Sequence, residues 1–135
     1  FFMEANKMGN WNFQFDWFEP AQITKYSVDN YYQWHCDDHD KIYPNTHDNL
    51  NFRNKIRKIS CSLLLSDINE YSGGSLEFAI PQPRNGDLVF KNIKLNPLNK
   101  GTLIIFPSFI NHKVNVVTNG CRYSLVVWAL GKPYA

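Results

Sequence analysis

Apolar and polar residues alternate along much of this chain with a period of two, the pattern of half-buried β-strands. Residues 11–16 show it most plainly, since Trp, Phe and Phe alternate there with Asn, Gln and Asp. The predicted strands cover residues 11–16, 21–26, 31–37, 59–65, 75–80, 87–90, 101–106, 113–117 and 122–130. Strands that recur about every ten residues, with turn signals between them, predict an all-β sandwich or jelly roll.

Glycine, proline and asparagine mark the breaks between these strands. Residues 73–74 are a glycine pair, which predicts a turn with positive φ. The prolines in residues 81–83 are expected to end a strand, and residues 92–99 to form a loop. Asn119 and Gly120 are a strong signal for a hairpin turn between the last two strands.

Two segments do not follow the strand pattern. Residues 1–7 are predicted to be the last turn of a helix that ends near Gly9, and no long helical period follows. Residues 38–54 form a long polar loop, for which we hypothesise the role of a substrate lid. His39 and His47 in this loop are expected to be solvated.

Composition narrows the class of protein. The 135 residues predict one domain over residues 1–135, and 44% hydrophobic against 19% charged residues is typical of a globular chain. A net charge of +2 gives no argument for nucleic acid or a membrane surface as partner. No apolar run reaches the length of a membrane span. Three widely spaced cysteines argue against a disulfide framework and favour reduced thiols in a cytoplasm.

A candidate metal site appears at His35 and Asp37. On a strand these two side chains point to one face, while Cys36 and Asp38 point to the other. His112, at the start of a later strand, is the candidate third ligand. Two histidines and one carboxylate with open positions beside them suit non-haem Fe(II). The alternative is a chance His-x-Asp pair, which occurs often in sequences.

Arg122 and Ser124 form a second candidate constellation on the last strand. They share one face of that strand, and Tyr123 lies on the other. A guanidinium offers parallel donors to a carboxylate, and the hydroxyl adds one more. A dicarboxylate could therefore chelate the metal at one end and bind Arg122 at the other. The alternative is an arginine paired with a surface carboxylate.

Several motifs occur in a fixed order across residues 20–130. They are Tyr26, residues 32–37, 57–60, 71–74 and 101–107, His112, Gly120, residues 122–124 and Trp128. In this order they resemble the Fe(II)- and 2-oxoglutarate-dependent dioxygenases, and within them the prolyl 4-hydroxylase branch. The resemblance implies a double-stranded β-helix, the jelly-roll barrel of that family, with a short helical remnant at the N-terminus.

The resemblance also implies cofactors and roles. Fe(II) is the expected metal, with 2-oxoglutarate and O2 as cosubstrates, and ascorbate fits the same chemistry. The residues that match iron ligands are His35, Asp37 and His112. Arg122, Ser124 and Tyr26 match residues at the cosubstrate, and Trp128 and Tyr32 resemble aromatics at the substrate mouth.

Two features depart from the family pattern. Some relatives carry a cosubstrate-binding tyrosine on the strand that corresponds to residues 59–65, but residues 63–65 are all leucine here. Relatives also have N-terminal helices that support the barrel, and only a stub precedes Trp11. The chain is therefore expected to be a minimal or trimmed member, or to lack residues upstream.

The expected activity is hydroxylation of an unactivated C–H bond, most simply on a peptidyl proline, with decarboxylation of 2-oxoglutarate to succinate. Two alternatives stay open: a related oxygenase acting on a small molecule or nucleobase, and a non-enzymatic jelly-roll binding module. The Asn- and Lys-rich composition is typical of an AT-rich genome, so the expected setting is a microbial cytoplasm or a virus-infected host cell. The sequence leaves the oligomeric state open.

Overall fold

A computed structural model describes residues 1–38 and 42–134 of the chain. In these ranges the chain forms one short helix and eleven strands. They are α1 Phe2–Met8, β1 Trp17–Phe18, β2 Gln22–Tyr26, β3 Tyr32–His35, β4 Ile56–Leu64, β5 Tyr71–Gly73, β6 Leu76–Arg84, β7 Asp87–Lys94, β8 Leu103–Pro107, β9 Asn111–Val114, β10 Val117–Gly120 and β11 Arg122–Gly131. No helix within the described ranges has the length and apolar character needed to cross a bilayer.

Two antiparallel sheets carry the fold. The first has the order β1-β11-β4-β8, with β2 also paired to β11, and the second has the order β3-β9-β6-β7. Strands β5 and β10 form a separate pair. Phe106 on β8 meets Phe78 on β6 with ring centroids 4.9 Å apart, so side chains of the two sheets pack together. This arrangement agrees with the predicted all-β sandwich with a short N-terminal helix.

The segment of residues 11–16 is not a strand, contrary to the prediction. Its side chains do alternate between half-buried and exposed, as the period of two requires. However, Asn12 has a φ of 54°, which takes the backbone out of the extended region. The backbone N–H of Phe13 donates to the side chain of Asn6 instead of joining a ladder.

Strand β6 continues through its prolines, so the predicted break at residues 81–83 is wrong. Pro81 pairs with Phe90 and Pro83 with Leu88 in the hairpin with β7. The pairing of β6 with β9 ends at Ala79. Beyond that residue the second edge of β6 has no ladder partner among the described strands, and prolines are tolerated at such a free edge. The hairpin also takes in residues 92–94, which were predicted to lie in a loop.

Asn119 and Gly120 do not form the predicted hairpin turn. Both lie in β10, which pairs with β5 rather than with β11. Gly120 has a φ of 69°, and a side chain there would collide with the Glu70 carbonyl group. The positive φ of Gly120 lets the chain bend between β10, which pairs with β5, and β11, which belongs to the first sheet. The glycine pair at residues 73–74 does have positive φ, as predicted.

Candidate metal and cosubstrate site

The sheet register brings His35, Asp37 and His112 together. His35 ends β3 and lies directly opposite His112 on β9. Asp37 follows two residues later, where its backbone N–H donates to the Ser108 carbonyl at 2.9 Å. One ligand atom from each of the three side chains lies within 4.8 Å of the other two. The predicted triad is therefore a cluster in space.

Backbone hydrogen bonds orient both imidazole rings. Nδ1 of His35 donates to the Gln33 carbonyl at 2.6 Å, and Nδ1 of His112 donates to the Ile110 carbonyl at 2.9 Å. Each ring thereby turns Nε2 towards Oδ1 of Asp37, at 3.4 Å and 3.6 Å respectively. Burial is the main cause that lowers the pKa of His112, which favours the neutral ring that a metal requires.

Two donors hold the other oxygen of Asp37. Oδ2 accepts hydrogen bonds from Ser60 Oγ at 2.6 Å and from Trp128 Nε1 at 3.0 Å. Burial alone would raise the pKa of Asp37, but the contact with His35, the attraction of His112 and these two donors hold it well below its usual range. The carboxylate is therefore ionised, with Oδ1 presented to the two histidines.

This donor set fits Fe(II). Two imidazole nitrogens and one carboxylate oxygen on one face, with open positions opposite, are the arrangement of non-haem iron oxygenases. The hydrogen bonds behind each ligand fix its orientation, as is usual for metal-binding histidines and carboxylates. His35, Asp37 and His112 are the residues that could hold the ion.

A cavity of about 290 Å3 opens beside the triad, between the two sheets. One face of β11 lines it through alternate residues, as predicted for Arg122 and Ser124. The members of that face are Arg122, Ser124, Val126 and Trp128. Tyr26, Tyr32 and the three triad residues line the same cavity, so it contains every site residue predicted from the sequence.

Arg122 is a buried cation with no carboxylate partner among the residues that the structure describes. The residue is only 5% exposed, and no carboxylate in the described ranges lies within 4.0 Å of it. Its Nε–H is buried with no acceptor in the described part of the chain, and Nη1 reaches Ser124 Oγ at a long 3.5 Å. The Tyr71 side chain also lies beside the guanidinium. Burial lowers the pKa of Arg122, but a guanidinium stays charged. The alternative of a surface ion pair is therefore wrong, and an anion in the cavity would satisfy this group.

The remaining predicted residues differ in their surroundings. Ser124 is buried and shares a hydrogen bond of 2.7 Å with Thr24 Oγ1. The Tyr26 ring lies 5.8 Å from the guanidinium carbon of Arg122. Tyr32 is 47% exposed, and its ring lies 3.9 Å from the His35 ring, so it marks the mouth of the cavity. Substrate contact by Tyr32 stays a prediction.

Trp128 has a contact that the sequence did not indicate. It was predicted as an aromatic at the substrate mouth, a role that stays a prediction, and it also donates to Asp37. The guanidinium of Arg57 lies over its ring at 3.6 Å. Ser60 was missed as well, although a serine within the buried run of β4 is a signal that a polar group has a partner inside.

We expect Trp128→Phe to weaken Fe(II) binding about tenfold, the lower end of the usual cost of losing a hydrogen bond behind a metal ligand. The variant keeps the ring but loses the N–H that holds Asp37 Oδ2. Anaerobic titration with Fe(II) measures the effect. Trp17→Phe is the matched control, since Trp17 lies on β1 and does not line the cavity. Equal affinity for wild type and Trp128→Phe would show that the indole does not position Asp37.

Residues 42–54, the main described part of the predicted lid loop, are tied to the rest of the protein near Arg57. Residues 39–41, and with them His39, lie outside the described ranges. Glu19 accepts hydrogen bonds from Arg57 at 2.7 Å and 2.9 Å and from the Tyr43 hydroxyl at 2.6 Å. His47 is half-buried and stacks on Phe52, rather than being solvated as expected. The lid hypothesis stays a prediction, with Tyr43 as its fixed end.

We expect Tyr43→Phe to lower the free energy of unfolding by about 1 kcal/mol at neutral pH, the usual cost of one hydrogen bond. Burial and then Glu19 raise the pKa of Tyr43 from 10.0 to about 12, so the folded state favours the neutral hydroxyl. This contribution is therefore complete below pH 10 and is lost as the pH rises through 12. Urea denaturation of both proteins measures it, with Tyr31→Phe at an exposed tyrosine as control. An unchanged midpoint would contradict the anchoring role.

Comparison with known proteins decides the family. The model of the 2OG-Fe(II) oxygenase superfamily, where 2OG is 2-oxoglutarate, matches residues 21–130. The chain belongs to the 2OG-Fe(II) oxygenase superfamily. This range includes the triad, Arg122 and Ser124, and the expected cofactors Fe(II) and 2-oxoglutarate agree with the family.

Curated relatives of this 2OG-Fe(II) oxygenase are PKHD-type hydroxylases. One from Janthinobacterium sp. (strain Marseille) is 32% identical over 109 residues, which cover 81% of this chain and 42% of the relative. Another from Idiomarina loihiensis is 27% identical, with 81% of this chain and 43% of the relative covered. The chain thus spans less than half the length of these relatives.

Solved structures confirm the fold. A Pseudomonas putida prolyl-4-hydroxylase superposes with a TM-score of 0.61 at 21% identity, covering 94% of this chain and 59% of that one. A Trichoplax adhaerens prolyl hydroxylase in complex with a hypoxia inducible factor peptide gives a TM-score of 0.59 at 18% identity, covering 87% and 46%. The predicted double-stranded β-helix is therefore confirmed.

Proposed function

We propose that this domain is an Fe(II)- and 2-oxoglutarate-dependent dioxygenase that hydroxylates a peptidyl proline. The proposed iron ligands are His35, Asp37 and His112, and the proposed cosubstrate residues are Arg122, Ser124 and Tyr26. The observation that carries the proposal is the buried guanidinium of Arg122, which lines the same cavity as the triad and whose Nε–H has no acceptor within the described ranges. A non-enzymatic binding module has no need for this combination.

The protein residues have separate tasks in this reaction. Fe(II), 2-oxoglutarate and O2 supply the oxidative decarboxylation that yields succinate, carbon dioxide and a hydroxylated product. His35, Asp37 and His112 would hold the ion at the wall of the cavity. Ser60 and Trp128 keep Asp37 turned so that Oδ1 is the oxygen presented.

Arg122 orients the cosubstrate. Its guanidinium neutralises the far carboxylate in a buried site, where an unpaired charge of either sign is costly. Ser124 Oγ lies beside it and can donate to the same carboxylate, because Thr24 Oγ1 is able to donate to Ser124 in turn. Tyr26 lines this end of the cavity, with its ring 5.8 Å from the guanidinium carbon of Arg122. The residues of this cavity would then hold the cosubstrate at both of its ends and so limit its possible orientations.

A peptide with a proline is the proposed substrate. The curated relatives are named PKHD-type hydroxylases, and one structural neighbour is a prolyl hydroxylase bound to a peptide. Tyr32 at the mouth and Trp128 inside the cavity offer aromatic faces against which a proline ring can pack. Both side chains lie beside the triad, where the reacting carbon must come.

Peptide turnover tests this proposal. Proline-containing peptides, paired with copies in which alanine replaces proline, are incubated with the protein, Fe(II), 2-oxoglutarate and oxygen. We expect a mass gain of one oxygen atom on the proline peptides only, in step with succinate release. Succinate release that rises with a small molecule or a nucleobase, and with no peptide, would contradict the peptide assignment and leave the oxygenase chemistry intact.

A further inference from the structure

A second cavity, of about 320 Å3, adjoins the first one at Arg122. The residues that line both cavities are Ser62, Leu76 and Arg122. None of the proposed metal ligands lines the second cavity, and neither does Tyr26 or Trp128. It is thus a separate space whose shared wall contains the cation that the proposed function assigns to 2-oxoglutarate.

The wall of this second cavity is mainly apolar. Its hydrophobic side chains come from β4, β6, β8 and the loops that follow β4 and β7. They are Leu64, Ile68, Leu76, Leu95, Leu98 and Ile104. Leu95, Leu98 and Ile104 are only half-buried, so part of their apolar surface is open for a ligand to cover. This volume and lining are typical of a pocket for a small ligand.

Three polar groups converge at the end of the cavity that adjoins the first one. Ser62 and Arg122 belong to the shared wall, and Tyr71 lies beside the guanidinium. The Nε–H of Arg122 is buried and lacks an acceptor in the described chain. A cavity with one buried cation at one end and mainly apolar walls elsewhere is complementary to a carboxylate that carries an alkyl chain.

We propose that the second cavity binds an amphipathic monocarboxylate, with its carboxylate at Arg122 and its alkyl chain among the apolar residues. Such a ligand competes with 2-oxoglutarate. One guanidinium compensates one carboxylate, and a second carboxylate at the same buried cation would leave an uncompensated charge. The competition rests on the proposed function of Arg122, whereas the binding itself does not.

Octanoate is the probe, and calorimetry without 2-oxoglutarate measures its binding to the full chain. Octanol has the alkyl chain without the charge, and acetate has the charge without the chain. We expect each of them to bind at least about tenfold more weakly than octanoate, because each lacks one of the two interactions. At ten times its own Kd, octanoate should raise the apparent Kd of 2-oxoglutarate about 11-fold.

Leu98→Trp is the blocking variant, because Leu98 lines only the second cavity and lies in a loop. It should weaken octanoate binding at least about tenfold by filling the cavity, with 2-oxoglutarate affinity unchanged. The unchanged affinity also reports that the variant folds. Ile68→Trp is a second filling variant, and Leu88→Trp, on exposed β7, is the matched control.

Each result bears on the proposal. Octanoate binding that both filling variants weaken, and that 2-oxoglutarate displaces, supports it. Failure of octanoate to bind at millimolar concentration, equal binding of octanol, or indifference to both filling variants overturns it. Simultaneous binding of octanoate and 2-oxoglutarate overturns the competition. A chain that binds octanoate but never 2-oxoglutarate would refute the proposed function and leave the second site standing.

Discussion

Asp37→Ala and His112→Ala are each expected to lower Fe(II) affinity at least about 100-fold. Loss of a hydrogen-bond partner behind a metal ligand already costs up to about 100-fold, and loss of the ligand itself should cost no less. Either change removes one of three converging ligand atoms. Asp37→Ala also removes the only carboxylate of the triad, and with it the charge that attracts the cation. Anaerobic titration with Fe(II) measures the affinity, and succinate formation from 2-oxoglutarate should vanish in both variants.

Asp38→Ala is the matched control for this experiment. Strand alternation selected Asp37 rather than its neighbour as the ligand, and only Asp37 joins the cluster of metal-ligating atoms in the described ranges. Asp38→Ala removes no ligand atom of the cluster, so it should keep Fe(II) affinity within about threefold of wild type. Wild-type affinity in Asp37→Ala, or an equal loss in Asp38→Ala, would refute the ligand assignment.

Arg122→Ala is expected to weaken 2-oxoglutarate binding at least about 30-fold. Truncation of one partner of a buried charge pair costs about 2–5 kcal/mol, and 2 kcal/mol corresponds to that factor. Fe(II) affinity should stay unchanged, because Arg122 contacts none of the three ligands. Calorimetry with 2-oxoglutarate on the metal-loaded protein separates the two effects.

Two further arginine variants sharpen this result. Arg122→Lys keeps the charge and should recover part of the affinity, although it loses the bidentate geometry. Arg84→Ala, at an exposed position at the end of β6, should have no effect. An Arg122→Ala protein with wild-type affinity for 2-oxoglutarate would contradict the cosubstrate site.

The meeting of the proposed metal and cosubstrate residues around one cavity could be predicted from the sequence, because it depends on the period of two. The period of two places the side chains of His35 and Asp37 on the same side of their segment. It likewise places Arg122 and Ser124 on one face of β11, and both pairs line the same cavity. The contacts of Trp128 with Asp37 and Arg57 could not be predicted, since they depend on how three distant segments meet. The second cavity is likewise a property of packing between loops and strands.

The wrong predictions of the fold come from local signals that tertiary structure overrides. Prolines break central strands, but Pro81 and Pro83 lie where β6 has lost one neighbour. An Asn-Gly pair favours a tight hairpin, but here β10 pairs with β5, and Gly120 lies at the bend that follows β10. In each case strand order decided the outcome, and strand order is not encoded in a short window of sequence.

The most direct test of the central claim is the conversion of 2-oxoglutarate to succinate by the purified chain, followed by proton NMR with and without Fe(II). We predict succinate that requires both Fe(II) and oxygen, that disappears in Asp37→Ala, and that persists in Asp38→Ala. A wild-type chain that binds Fe(II) and 2-oxoglutarate yet forms no succinate, with or without proline peptides, would contradict the claim.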